Sequence, residues 1–79
     1  MTIGEMFKKA REARGLSQRD VSEMFGYTSP QFVSNWERGL AHPPLTSMGR
    51  LCKLFGLESK RIHRMMVEKY STEIEQYFK

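Results

Sequence analysis

From Ile3 to Phe55, apolar residues recur every three to four positions, and serines, glycines and prolines cut the pattern into short lengths. That repeat puts one apolar stripe on each of several helices. Ile3, Met6, Phe7 and Ala10 make the first stripe, with Thr2 placed to cap the helix and Gly15 to end it. Ser17 caps a second helix over 18–25, carrying Val21, Met24 and Phe25, and Gly26 ends it. Ser29-Pro30 opens a third over 30–37, with Pro30 as its first helical residue, Val33 and Trp36 as its apolar positions and Gly39 beyond its end. Pro43 and Pro44 keep 40–44 a loop. A fourth helix is predicted from about Leu45 to Phe55, and Gly56 stops it. Ser59 caps a fifth that continues to the C-terminus. Nothing in the chain reads as a strand, an internal repeat or a low-complexity tract. The pattern predicts an all-α fold, a compact bundle of five helices.

Seventy-nine residues suffice for one small hydrophobic core, so residues 1–79 are expected to form a single domain. The core spans about 3–57, followed by a long helix over 59–79. In that tail Ile62, Met66, Tyr70, Ile74 and Phe78 fall four apart, a spacing that drifts around the helix and predicts packing at an angle. Two readings follow. The tail either folds back over the core or supplies a dimer interface.

Composition narrows the function. The chain is 28% charged and 39% hydrophobic, ordinary values for a globular domain. It has no apolar run near the roughly 20 residues that span a bilayer. Its N-terminus lacks a signal peptide's apolar block, so the cytoplasm is the expected compartment. Cys52, the single cysteine, sits among Leu51, Leu54 and Phe55 and reads as core. His42 and His63 have no ligand-spaced Cys, Asp or Glu around them, so no metal or other cofactor is expected. No nucleophile–base arrangement or phosphate-cradling glycine loop is present either, and an enzyme is not expected.

The net charge of +4 is unevenly distributed. Lys8, Lys9, Arg11, Arg14 and Arg19 cluster ahead of the predicted turn, whereas Met24 through Trp36 contains no charged residue. A solvated helix would normally carry charges there. This stretch instead offers Gln31, Ser34 and Asn35, side chains that can read base edges in a major groove while basic flanks meet phosphate. Gln31 and Asn35 stand one helical turn apart on one face.

These residues resemble the Cro and phage-repressor helix-turn-helix family, the lambda-repressor-like fold. The resemblance rests on Ala10-Arg11, Gly15-Leu16-Ser17-Gln18, Val21, Gly26, Val33-Ser34, Trp36-Glu37-Arg38-Gly39, Pro43-Pro44 and Leu54-Phe55-Gly56-Leu57. It covers about residues 3–57 and leaves the tail outside. It implies a sequence-specific regulator, most readily a repressor, that binds double-stranded DNA as a homodimer. It further implies phosphate contact by Gln18, base contact by Pro30, Gln31 and Asn35, backbone contact by Arg38, and a partly buried ion pair between Arg11 and Glu37. Two features depart from the family pattern. The turn Gly26-Tyr27-Thr28-Ser29 is one residue longer than the shortest family turns, which leaves two registers for the third helix. Pro30 stands where many relatives carry a hydrogen-bonding side chain.

The expected DNA surface comprises Pro30, Gln31, Phe32, Ser34 and Asn35 toward the bases. Gln18, Arg19, Ser29, Arg14 and Arg38 are expected toward the phosphates. Some positions keep two readings. Phe32 either meets the sugar-phosphate backbone or a thymine methyl, or packs on the tail. Ser34 either contacts DNA or back-bonds to its own helix. Arg14 and Arg38 are either phosphate ligands or solvated charges. A second function class also stands, a protein-interaction module or antitoxin-like partner that uses the C-terminal helix, suggested by the tail's extra apolar length and the chain's six methionines.

Overall fold

Thr2 and Ser17 each satisfy the amides of a helix start, and both close a reciprocal capping box. The structure, a computed structural model, describes residues 1–78. Helix α1 spans Ile3–Ala13. The Glu5 N–H donates to Thr2 Oγ1 at 3.1 Å, and the Thr2 N–H donates to Glu5 Oε2 at 3.4 Å. Helix α2 spans Gln18–Met24, with Ser17 and Asp20 paired in the same way at 2.9 and 2.8 Å. Helix α3 is Gln31–Arg38, α4 is Met48–Phe55 and α5 is Ser59–Glu75. Among the described residues these are the five α-helices, and no strand accompanies them.

The boundaries differ from expectation in four places. Pro30 is not the first helical residue but the N-cap of α3, and Ser29 Oγ accepts the Gln31 N–H at 3.1 Å. The helix thus begins one residue later than the proline suggested. Residues Leu45–Ser47 form a 3-10 turn ahead of α4, closed by the Ser47 N–H on the Pro44 carbonyl at 2.8 Å. Ser59 does not cap α5; Glu58 is its N-cap, without a side-chain hydrogen bond. The amides of Arg61 and Ile62 bond the Glu58 carbonyl at 3.1 Å, so the helix begins a residue earlier than the serine suggested. Finally, α5 passes into a 3-10 turn over Gln76–Phe78, and residue 79 of the expected helix lies outside the described residues.

Two apolar clusters hold the helices together. Phe7, Val21, Val33, Trp36, Leu51 and Phe55 join α1, α2, α3 and α4. Met6, Cys52, Ile62 and Met66 join α1, α4 and the first half of α5. Burying each large side chain contributes about 1.5–3 kcal/mol, so the six-residue cluster carries most of the packing energy. Burial raises the pKa of the Cys52 thiol, consistent with its place in the core.

Helix α1 crosses α3 closely because position 4 has no side chain. A β-carbon on Gly4 would stand 2.6 Å from the Trp36 carbonyl oxygen and would overlap that of Glu37. Gly39 and Gly56, both in the left-handed region at φ 77° and 64°, end α3 and α4.

The first half of the tail folds back over the core, and its second half leaves it. Ile62 and Met66 are buried in their own protomer at 1% and 9% exposure, so the expected spacing-four dimer stripe is not one free surface. The drift of a four-residue spacing leaves only its first two members against the core. Tyr70 is half-buried, edge-on to His42 with ring centroids 5.1 Å apart. Residues 71–78 are exposed throughout. Ile74 and Phe78 accordingly lie in solvent.

Candidate nucleic-acid interface

The ends of α2 and α3 are tied by one polar knot. Glu37 accepts from Arg11 Nε at 2.6 Å, from Arg11 Nη2 at 3.1 Å and from Gln18 Nε2 at 3.0 Å. Arg11 Nη1 donates to the Leu16 carbonyl at 2.8 Å. The Arg11 and Glu37 side chains are only 10% and 4% exposed. The hydrogen bond from Arg11 to Glu37 raises the pKa of the guanidinium, which stays charged. This is the expected ion pair, and it recruits Gln18 as well. Gln18 therefore reaches any phosphate with one amide hydrogen already committed to Glu37.

Helix α3 lays Val33 and Trp36 into the core and turns Gln31, Ser34, Asn35 and Arg38 away from it, as a period of 3.6 requires. Gln31 Nε2 donates to Asn35 Oδ1 at 2.8 Å. The two amides thus hold one another in a fixed pose on the outer face. Such a pose leaves the Asn35 amide hydrogens and the Gln31 carbonyl oxygen for a ligand. Ser34 is half-buried on α3. Arg38 is exposed near the end of α3, and Arg19 is exposed in the first turn of α2. Ser29 spends its oxygen lone pair on the α3 cap, which leaves its hydroxyl hydrogen to donate.

Phe32 does not reach the tail. Its ring stacks on Tyr27 with centroids 4.7 Å apart, and half of the side chain remains exposed. Tyr27 in turn meets Trp36 edge-on at 5.9 Å, and Trp36 meets Phe25 at 6.3 Å. This aromatic ladder fixes the turn between α2 and α3. Arg50 from α4 closes its far side. The guanidinium lies 4.4 Å from the Phe25 ring centroid and donates to the Met24 carbonyl at 2.6 Å. Tyr27 and Arg50 were both missed by the sequence reading. An aromatic pair five residues apart was a usable signal for Tyr27; nothing local marked Arg50.

Arg14 is placed differently from the other basic candidates. Its Nη2 lies 2.9 Å from the point a Gly56 β-carbon would occupy, which puts the guanidinium at the C-terminal end of α4. There a cation is favoured by the helix dipole. Arg14 nevertheless remains exposed.

A short helix, a glycine-containing turn and a second helix with an outward amide face define a helix-turn-helix protein. A family model described as Helix-turn-helix matches residues 7–61. The chain belongs to this Cro/C1-type, lambda-repressor-like family of DNA-binding transcription regulators, which are typically not enzymes. No curated protein and no solved structure matches the chain. The match stops within the first turn of α5, so the rest of the tail falls outside it. Among the described residues, no helix is long and apolar enough to cross a membrane.

Proposed function

We propose that the chain is a sequence-specific regulator that reads double-stranded DNA with α3 in the major groove, and that it acts as a homodimeric repressor working as one domain. The mutually bonded Gln31–Asn35 pair on an uncharged outer face carries this reading. Two amides already fixed against each other lose little side-chain entropy on meeting a base, and Gln and Asn suit adenine. Ser34 and Phe32 flank them, offering a hydroxyl and a half-exposed ring to a base or a thymine methyl, and Pro30 adds an apolar edge. Arg19 and Arg38 stand at the two ends as phosphate ligands, with Gln18 and the Ser29 hydroxyl beside them. Arg14, exposed beside Gly56, is a further phosphate candidate. Repression requires only that the site be occupied.

Selection of bound duplexes from a random library tests the proposal. A two-fold sequence motif is expected, with affinity that falls steeply as salt rises. Gln31→Ala should relax discrimination at one position per half-site by about 1–3 kcal/mol. Selection that returned no motif, with affinity indifferent to Gln31→Ala and Asn35→Ala, would sink the reading. The exposed end of the tail favours a second one, a module that binds another protein, and a stable complex of that kind without DNA affinity is its signature.

A further inference from the structure

Resting on the dimeric part of the proposed function, we infer that two copies pair through α5 in antiparallel fashion, across a face different from the spacing-four stripe. His63, Val67, Tyr70, Ile74 and Tyr77 follow one another by steps of four, three, four and three. That is the 3.5-residue repeat of a helix seam that stays against a partner helix. Most of this seam is uncovered: Val67 is 54% exposed, Ile74 55% and Tyr77 81%. The same face borders an apolar groove of about 520 Å³ between α4 and α5, lined by Leu45, Met48, Cys52, Ile62, His63 and Val67.

Charge complementarity selects a second copy as occupant and sets its direction. The first half of α5 carries Lys60, Arg61 and Arg64, and the second half carries Glu68, Glu73 and Glu75, with Lys69 as the one exception. Antiparallel pairing lays the acidic half of each helix on the basic half of the other. Parallel pairing would stack like charge on like. With Val67 opposite the second copy's Tyr70, His63 meets Ile74 and the Tyr77-Phe78 pair reaches the groove beside Leu45.

The surface is large enough. An aromatic side chain buries about 150–250 Å², so Tyr77 and Phe78, both more than four-fifths exposed, give about 600–1,000 Å² over two copies. Leu45, Val67 and Ile74 take the total past the roughly 1,000 Å² that a specific interface needs. Residues 71–78 are also exposed on every side in a single chain. A short helical end without a buried face is held only weakly, and pairing supplies that face.

Sedimentation velocity of the full chain without DNA gives the first test. A dimer is expected at micromolar concentration, and a chain that stays monomeric at 100 µM overturns the inference whatever its DNA affinity. Val67→Glu combined with Ile74→Glu should give a folded monomer, because both positions are exposed in the single chain. If that variant unfolds, the melting temperature of the parent provides the check, since a dimer must melt higher as concentration rises. Orientation is tested by oxidising His63→Cys and Ile74→Cys chains, with the parent, whose Cys52 is buried, as control. A crosslink in the mixture that neither variant forms alone is expected. Self-crosslinking of His63→Cys would overturn the antiparallel arrangement, and a monomer that captures only some other protein would overturn the pairing itself. A dimer that binds no duplex leaves this inference standing and removes the DNA reading.

Discussion

Glu37→Gln should strongly destabilise the fold. The wild-type carboxylate accepts three hydrogen bonds, two from Arg11 and one from Gln18. An amide keeps one acceptor and turns an NH2 group toward donors, so at least one bond is lost. The guanidinium, 10% exposed, then stands without a counter-charge. Removing one partner of a buried pair costs about 3–5 kcal/mol. Arg11 retains the Leu16 carbonyl, which argues for the lower end, about 3 kcal/mol. A domain of this size has about 4–12 kcal/mol in total, and each kilocalorie moves its midpoint by about 4–8 °C. The expected fall in Tm is therefore about 12–24 °C.

Circular dichroism melts and urea titrations of parent and variant measure this directly. The raised guanidinium pKa means that the pair's contribution is full below the ordinary arginine value and is lost only as pH rises beyond it. The difference between the two proteins should accordingly persist at neutral and mildly alkaline pH. Replacing both partners, Arg11→Met with Glu37→Leu, should recover most of the loss, because an apolar pair leaves no charge buried. A Glu37→Gln protein melting within about 4 °C of the parent, less than about 1 kcal/mol, would refute the claim that this knot is shielded from water.

Three further outcomes follow from local geometry. Gly4→Ala should cost about 1–3 kcal/mol, because the new methyl meets backbone oxygens of Trp36 and Glu37 that cannot step aside; a variant as stable as the parent in urea would mean that α1 and α3 can part freely. Ser22→Ala should stabilise by about 1 kcal/mol, since Ser22 Oγ is buried with no partner among the described residues; a lower melting temperature would reveal a hidden partner for that hydroxyl. The Asp20 carboxyl is held below its ordinary pKa by hydrogen bonds from the Ser17 backbone and side chain. Its stabilisation is thus present above about pH 3.9 and is lost as pH falls through the lower folded value. Asp20→Asn should flatten the melting temperature's acid limb below that point, and an unchanged limb would assign the acid sensitivity to other carboxylates.

The helices were legible because their signals are local. Thr2, Ser17, Gly26, Gly39 and Gly56 each mark a boundary through the conformation or the hydrogen bond that the position demands. The ion pair came only through resemblance, since Arg11 and Glu37 are far apart in sequence and nothing periodic joins them. The misread boundaries, Pro30 and Ser59, share a cause. Residues with strong terminal preferences fix a helix start only to within one position, and here Ser29 and Glu58 hold the boundary instead. Tertiary approach was the least legible. Gly4 lies inside a helix, where glycine is merely a poor helix former, and only the passage of α3 explains it. Arg50 meets Phe25 across a fold that had to be known first.

The same distinction governs the two ends of the function. The proposed base recognition is a local property of α3: its uncharged face could be read because no charge interrupts Met24 to Trp36. Assembly is a property of what the core leaves uncovered. The spacing-four series Ile62, Met66, Tyr70, Ile74, Phe78 mixed two surfaces, and only burial separates them. Once Ile62 and Met66 are assigned to the core, the exposed His63, Val67, Ile74 and Tyr77, with half-buried Tyr70 among them, fall into a four-three rhythm. A helix can serve the core and a partner together when its two stripes lie on different faces. In α5 they do, and the drift of a four-residue spacing carries the chain from one to the other at Tyr70. Substitutions at the buried Ile62 and Met66 should therefore act on folding, and substitutions at the exposed Val67, Ile74 and Tyr77 on association.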